Sequence, residues 1–381
     1  MAVKLSMRVL GFMTGTSLDA VDMAVVETDG EHVIALGPAG EKKLDPAVRA
    51  TIECAIAAAK GWEGAAPAPP AFETASAAIA AEHLAAARGF FLESGLKAAD
   101  LDLVGVHGQT VLHEAPGQGG IGRSVQLIDA KALAEGLGLP VVYDFRAADI
   151  AAGGQGAPLA PVYHRALAVW SKLPLPVAVL NLGGVANVTF IGANGSMTAF
   201  DSGPANGMID LMVQARASMR CDEDGALARA GEIDQAVLES YLGHPYFHTK
   251  GPRSLDRFDF PLEPVGGLSI PDAAATLTAF AAETVARALR EAKEHPNLLV
   301  VCGGGRRNPV LMEEIRSRVG IRTAPAETVG WRGDSIEAEA FAFLSARTVL
   351  GLPISFPETT GAPVPLTGGR IARPKETGMA L

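Results

Sequence analysis

The sequence predicts an α/β protein built as two similar lobes, and three observations carry that expectation. One supersecondary pattern of strand, small polar turn and returning strand occurs twice, first over residues 7–13 and 20–27, then over 177–182 and 185–191. A buried strand running into a glycine loop and then a well-started helix appears at 298–315, the alternation expected of strand–helix units. At 381 residues the chain is too long for one small core, and with 48% hydrophobic and 19% charged residues it has the apolar material for a packed globule. A mainly disordered chain and a coiled coil are excluded. The organisation expected is an N-terminal lobe over 1–145 with the tail 353–381 packed on it, and a C-terminal lobe over 146–352.

Each element follows from its own residues. Residues 7–13 are apolar, Thr14, Gly15, Thr16 and Ser17 form a small polar turn, and AVDMAVVE resumes strand character after Asp19. Residues 61–72 (GWEGAAPAPPAF) break the periodicity and read as a surface loop. The alanine-rich run 72–96 is interrupted by Glu73, Glu82, His83, Arg88 and Glu93, so it is expected as a soluble helix pair, not a membrane span of about 20 apolar residues. LDLVGV precedes HGQTVLH, which puts His107, Gln109 and Thr110 at a strand end suited to hydroxyl-rich ligands or to a self-satisfied turn. His107 and His113 have no third ligand nearby, a poor spacing for a metal. The irregular stretch 144–161 is the expected lobe junction; in it Arg146 can fork onto a carboxylate, and Asp149 and Gln155 can take hydroxyls or an amide.

The glycine-rich turns carry the chemistry. A turn of Gly, Thr and Ser between buried strands exposes backbone N–H groups with little side-chain bulk, which suits phosphate oxygens, while a hairpin needing glycine only for positive φ is the alternative for either turn alone. Gly183 and Gly184 form the second such turn. Gly303, Gly304 and Gly305 form the third loop, with Asn308 expected as the helix N-cap and Pro309 at the first helical position. The loop lacks the G-x-G-x-x-G spacing, and no G-x-x-x-x-G-K-[ST] run exists, so adenosine binding fits better than a Rossmann or P-loop site. In TAFDSGPANGMID a strand delivers Asp201 to its end before a Gly-Pro turn; that carboxylate can act as general base beside a phosphate site or cap the following helix. Glu337 opens an amphipathic helix whose Phe341 and Leu344 point to core, and a dipole-matched surface carboxylate is its plain alternative.

Charge and cysteine usage remove other classes. Asp and Glu number 42 against 32 Lys and Arg, a net charge of -10, so neither a nucleic acid partner nor an anionic membrane is expected. Three scattered cysteines and an N-terminus without a signal-peptide core point to the cytoplasm. Oligomeric state stays open, a homodimer included, and no metal ligands are assigned.

In order along the chain, GFMTGTSLDAVD, HGQT, DFRAADIAAGGQGAPLAP, NLGGVANVT, FDSGPANGMID and CGGGRRNPVLM resemble the anhydro-N-acetylmuramic acid kinase family, and residues 245–260 (PYFHTKGPRSLDRFDF) resemble its aromatic and Pro-Lys-Ser-Thr-Gly-Arg segment. The resemblance implies a two-lobed actin-like, hexokinase-like ATPase fold with ribonuclease H-like lobes and a central nucleotide cleft. It implies an ATP- and Mg²⁺-dependent kinase that opens 1,6-anhydro-N-acetylmuramic acid and phosphorylates it during peptidoglycan recycling. It also implies Asp201 as catalytic base, and Gly15, Thr16, Ser17, Asp19, Gly184, Gly203, Asn206, Gly303, Gly304, Gly305 and Asn308 at the nucleotide. Thr110, Arg146, Asp149 and Glu337 are then expected at the sugar. Two departures stand out: Ala205 where the family's GPGN turn has glycine, and Leu255-Asp256 where it has Thr-Gly. A kinase of another anhydrosugar such as levoglucosan, and a non-catalytic actin-like ATP-binding protein, are the alternatives.

Overall fold

Both expected hairpins form in the computed structural model, which describes residues 6–15, 17–64, 67–114, 116, 122–249, 251–255 and 259–375. The chain divides into two units, Met1–Trp170 with Ser335–Leu381, and Ser171–Asp334.

In the first unit β1 (Met7–Met13) pairs antiparallel with β2 (Ala20–Thr28), and β2 with β3 (Val33–Lys43). On its other side β1 runs parallel to β4 (Leu103–Val106), which runs parallel to β7 (Val141–Tyr143). A separate two-stranded ribbon joins β5 (Gln109–Glu114) to β6 (Arg123–Leu127). The second unit repeats the plan: β8 (Val177–Leu182), β9 (Val185–Ile191) and β10 (Met197–Pro204) are antiparallel neighbours, and β8 continues in parallel to β11 (Leu298–Cys302) and β12 (Arg322–Pro325). From the C-terminal segment, β13 (Arg370–Ala372) adds antiparallel to β7. The sheet orders are therefore β13-β7-β4-β1-β2-β3 and β10-β9-β8-β11-β12. Burial of every residue of β4 and β11 matches parallel strands covered on both faces.

Helices of the first unit are α1 (Pro46–Ala59), α2 (Pro70–Ser94), α3 (Ala130–Leu137), α4 (Ala147–Ala151) and α5 (Pro161–Trp170). The second unit holds α6 (Asn206–Ala217), α7 (Ala226–Ala230), α8 (Gln235–Leu242), α9 (Ile270–Arg290) and α10 (Pro309–Val319). After it come α11 (Ile336–Val349) and α12 (Pro357–Thr360), which return to the first unit. One face of the first sheet packs α1, α2 and α3 around Leu10, Phe12, Val104, Ile79 and Leu133. The other face receives α11 so closely that a Cβ on Gly11 would lie 1.8 Å from the Ala338 carbonyl oxygen, and one on Gly105 would lie 2.4 Å from that of Phe341. Glycine at these two strand positions lets a helix backbone approach the sheet.

Two expectations change here. Residues 72–96 do not make a helix pair: α2 is a single helix of 25 residues, with no proline inside it and Gly95 (φ +73°) ending it. Glu82 of α2 is buried there because Lys42 pairs with it and the Asp45 N–H donates to it at 3.1 Å. The division of the chain also falls later than residues 145 and 146. Tyr163 of α5 donates its hydroxyl to Glu339 of α11 at 2.5 Å and packs its ring 5.5 Å from Phe343, so residues 146–170 and 335–352 belong with the first sheet. No described helix is long and apolar enough to cross a membrane.

Candidate active site

In the second unit three segments meet at strand ends. The β8–β9 turn is tied to the start of α6: the N–H groups of Ala205 and Gly207 donate to the Gly184 carbonyl at 3.0 Å, and Asn206 donates to Gly183 through its backbone and its side chain, both at 3.1 Å. Gly207 is required, since a Cβ there would lie 2.7 Å from the Gly184 oxygen. Ala205, 1% exposed, takes φ -125° and ψ -120° as the residue before α6, outside the regular strand and helix regions. The loop after β11 closes on the same turn. Gly303, at φ +76°, would place a Cβ 2.3 Å from Asn181 Oδ1, and Gly305 would place one 2.7 Å from Asn206 Nδ2. By contrast a Cβ on Gly304 would meet nothing within 4 Å, and on Gly184 nothing nearer than Gly207 Cα at 3.9 Å. Those two glycines present open backbone, the feature a bound phosphate or ribose needs.

Two side chains brace the third loop. Asn308 caps α10, its Oδ1 accepting from the N–H groups of Val310 at 3.0 Å and Leu311 at 3.1 Å, so its oxygen serves the helix. Arg306 donates to the Gly303 carbonyl at 2.9 Å and pairs with Glu327 and Asp334, each at 2.7 Å, while only 6% exposed. The Arg306 hydrogen bonds hold the Asp334 carboxyl below the usual carboxylate range.

Asp201 lies within β10 at an irregularity of register between Asp201 and Gly203. Such a bulge re-aims a side chain relative to the regular strand. Asp201 does not cap α6, which begins at Asn206 after an N-cap at Ala205, so the capping alternative falls. Its Oδ2 accepts from the Leu255 N–H at 2.8 Å, its own N–H donates to the Arg253 carbonyl at 3.0 Å, and its carbonyl accepts from the Tyr246 hydroxyl at 2.5 Å. Burial, and after it the Asp201 charge, push the Tyr246 phenol far up, which keeps it a donor. Arg253, 6% exposed, stacks 4.2 Å from the Phe200 ring centroid. Gly203 packs beside α9, where a Cβ would lie 2.5 Å from Thr284 Oγ1.

The first unit carries its own polar groups. In the turn after β1, Ser17 Oγ donates to Asp19 Oδ1 at 2.7 Å and a Cβ on Gly15 would meet only Ser17 Oγ at 3.6 Å; Thr16 lies outside the described residues. On the ribbon, Gln126 donates to Thr110 Oγ1 at 3.3 Å and to Ser124 Oγ at 2.8 Å, and His113 Nδ1 is 2.9 Å from Ser124 Oγ. Arg146 donates from Nη1 to the Gly156 carbonyl at 2.7 Å and reaches His107. Asp149, 2% exposed, accepts the Gly156 N–H at 2.6 Å and the Thr360 hydroxyl at 2.6 Å. Its oxygens thereby hold the loop 152–156 and tie it to α12. Glu337 is exposed in the first turn of α11, and Phe341 of that helix packs 4.7 Å from the His107 ring.

Sequence reasoning singled out the glycine turns, Asp201, Arg146 and Asp149, and did not name Tyr246, Arg253 and the Leu255 amide as partners of Asp201, or Thr360 as the partner of Asp149. The aromatic pair Tyr246-Phe247 was the one visible signal for Tyr246.

Five strands in the same order in both units, each set opening with a hairpin, match the actin-like, hexokinase-like class of ATPase folds. The family model described as "Anhydro-N-acetylmuramic acid kinase" matches residues 7–374, and the chain belongs to that family. A protein of that name from Caulobacter vibrioides is 59% identical over 365 residues, covering 96% of this chain and 98% of its own. Relatives of the same name from Phenylobacterium zucineum and Rhizobium rhizogenes are 57% and 46% identical, over 97% and 95% of this chain and 100% and 98% of theirs.

Proposed function

We propose that the chain is an ATP-dependent kinase that hydrolytically opens 1,6-anhydro-N-acetylmuramic acid and phosphorylates O6, giving N-acetylmuramic acid 6-phosphate and ADP in cytoplasmic cell-wall recycling. Family membership over nearly the whole chain supports it, and one geometric observation carries the chemistry: Asp201 at the register irregularity in β10, held by the Leu255 N–H. A bicyclic acetal has no free hydroxyl at position 6, so the acceptor oxygen must be created during the reaction. Asp201 takes a proton from water as the water oxygen attacks C1; the C1–O6 bond breaks, and the freed O6 attacks the γ-phosphorus as its bond to the β,γ-bridging oxygen breaks and ADP leaves. The Leu255 N–H and the Tyr246 and Arg253 contacts to the backbone of Asp201 fix where that carboxylate sits. Gly184 and Gly304 of the second unit, and Gly15, Ser17 and Asp19 of the first, are the proposed nucleotide contacts; a Cβ on Gly184 or Gly304 would meet nothing nearer than 3.9 Å, which supports backbone open to a ligand. Gly203, Asn206, Gly303, Gly305 and Asn308 shape the protein around that site. Bound ATP supplies the phosphoryl group, and Mg²⁺ the counter-charge on it. Arg146 is the proposed partner of the sugar's lactyl carboxylate, with Thr110 and Glu337 at its hydroxyls.

Incubation with Mg²⁺-ATP and the anhydrosugar in ¹⁸O water tests the whole scheme. The expected product is a phosphorylated sugar with ¹⁸O at C1, and Asp201→Asn should lower turnover by about 10²- to 10⁴-fold while ATP still binds. Normal turnover by that variant removes Asp201 from the role, and a product without ¹⁸O removes the hydrolytic step.

A further inference from the structure

His107 follows β4 and Arg146 follows β7, so the C-terminal ends of two neighbouring parallel strands bring them together. The imidazole is held at both nitrogens and on its face. Nε2 lies 3.2 Å from Arg146 Nε and 2.9 Å from Nη2, Nδ1 lies 2.7 Å from the Gly108 carbonyl oxygen, and the ring centroid is 4.7 Å from that of Phe341. A guanidinium only donates, so Nε2 must carry the lone pair and the proton must sit on Nδ1, donated to Gly108. The tautomer is therefore written into the backbone of the next residue. Gly108 holds that carbonyl at φ +75°, a conformation that suits glycine, and a Cβ there would also lie 3.0 Å from the Leu127 carbonyl oxygen. On its far side Arg146 is fixed by Gly156, whose N–H is in turn held by Asp149.

We infer that His107 is a positioning residue for substrate recognition: its neutral Nε2, set by the Gly108 carbonyl, fixes the angle at which Arg146 meets the carboxylate of the sugar acid. The inference rests on the proposed pairing of Arg146 with that carboxylate. Among charged or titratable neighbours, Arg146 and His113 act on His107; burial first, then the Arg146 charge, hold it well below the ordinary histidine range, so the accepting nitrogen persists at neutral pH. A protonated His107 would face the guanidinium with a second cation and no lone pair.

The test compares binding of 1,6-anhydro-N-acetylmuramic acid with that of 1,6-anhydro-N-acetylglucosamine, which lacks the lactyl carboxylate, by titration calorimetry, alongside KM and kcat for the acid. Loss of one hydrogen bond to a charged group corresponds to about 10- to 100-fold, so His107→Ala should weaken the acid by that much, mainly in KM. Affinity for the uncharged sugar and KM for ATP should stay as they were. His107→Gln, whose amide oxygen can accept from Arg146, should recover most of the loss, and Gly108→Ala should shift the acid in the same direction as His107→Ala. Equal weakening of both sugars by His107→Ala, at an unchanged melting temperature, overturns the positioning role. If Arg146→Ala discriminates between the sugars and His107→Ala does not, Arg146 keeps its role and His107 loses its own; if Arg146→Ala fails to discriminate, the carboxylate pairing falls and takes the inference with it.

Discussion

The two sheets share the order of five strands but use their glycines differently. In the first, Gly11 and Gly105 sit in mid-strand, where a Cβ would strike the backbone of α11. In the second, the glycines gather at strand ends, where Gly303, Gly305 and Gly207 let loops close on one another while Gly184 and Gly304 face open space. Three uses follow from one residue type: close approach of a helix, close approach of a loop, and room for a ligand. What a Cβ would touch separates them, and sequence spacing does not.

Gly11→Ala should be the most damaging way to test that separation. Its Cβ would lie 1.8 Å from the Ala338 carbonyl oxygen and 2.8 Å from the Ala342 nitrogen, and backbone cannot swing aside as a side chain can. A loss above about 4 kcal/mol is expected, enough to leave little folded protein by circular dichroism and thermal melting. A variant that melted like the parent would mean that α11 is free to shift and that mid-strand glycine has another cause.

Gly303→Ala comes next. Left-handed φ and a Cβ 2.3 Å from Asn181 Oδ1 add strain to overlap, so a loss of about 3 kcal/mol is expected in denaturant unfolding. Because the damage is to folding of the loop, restoring stability with a tight ligand should rescue part of it. An unperturbed midpoint would place Gly303 with the open glycines instead.

Both hairpins and the start of α10 were legible because their signals are local: apolar runs around Gly turns, and Asn308 ahead of Pro309. Where partners are distant the sequence is silent. Residues 144–161 read as a junction, yet they fold onto the first unit because Arg146 finds His107 and Asp149 finds Thr360. Strand β13 has three residues and no alternation to mark it, and it exists because β7 offers an edge. The alanine run of α2 hides its own continuity, since alanine is compatible with either one helix or two. Asp201 was visible as a carboxylate near a strand end, but Tyr246 and Leu255 reach it only through the tertiary fold.

Gly304→Ala should have the smallest effect on stability and is the sharpest probe of the comparison. Gly304 has no positive φ and a Cβ there would meet nothing within 4 Å, so alanine fits the folded chain and restricts the unfolded one. A gain of about 0.4–1 kcal/mol is expected where a glycine is replaced without strain. Its neighbour Gly303 predicts the opposite sign, although the two are adjacent in one loop. If the open face of Gly304 receives the nucleotide, the added methyl must raise KM for ATP while the melting temperature holds or rises, and the two readouts move apart. Parallel movement, with ATP binding and stability falling together, would mean that Gly304 serves the loop as Gly303 does. An unchanged KM with raised stability would leave Gly304 facing solvent and shift the nucleotide contact to Gly184 and the other glycine turn.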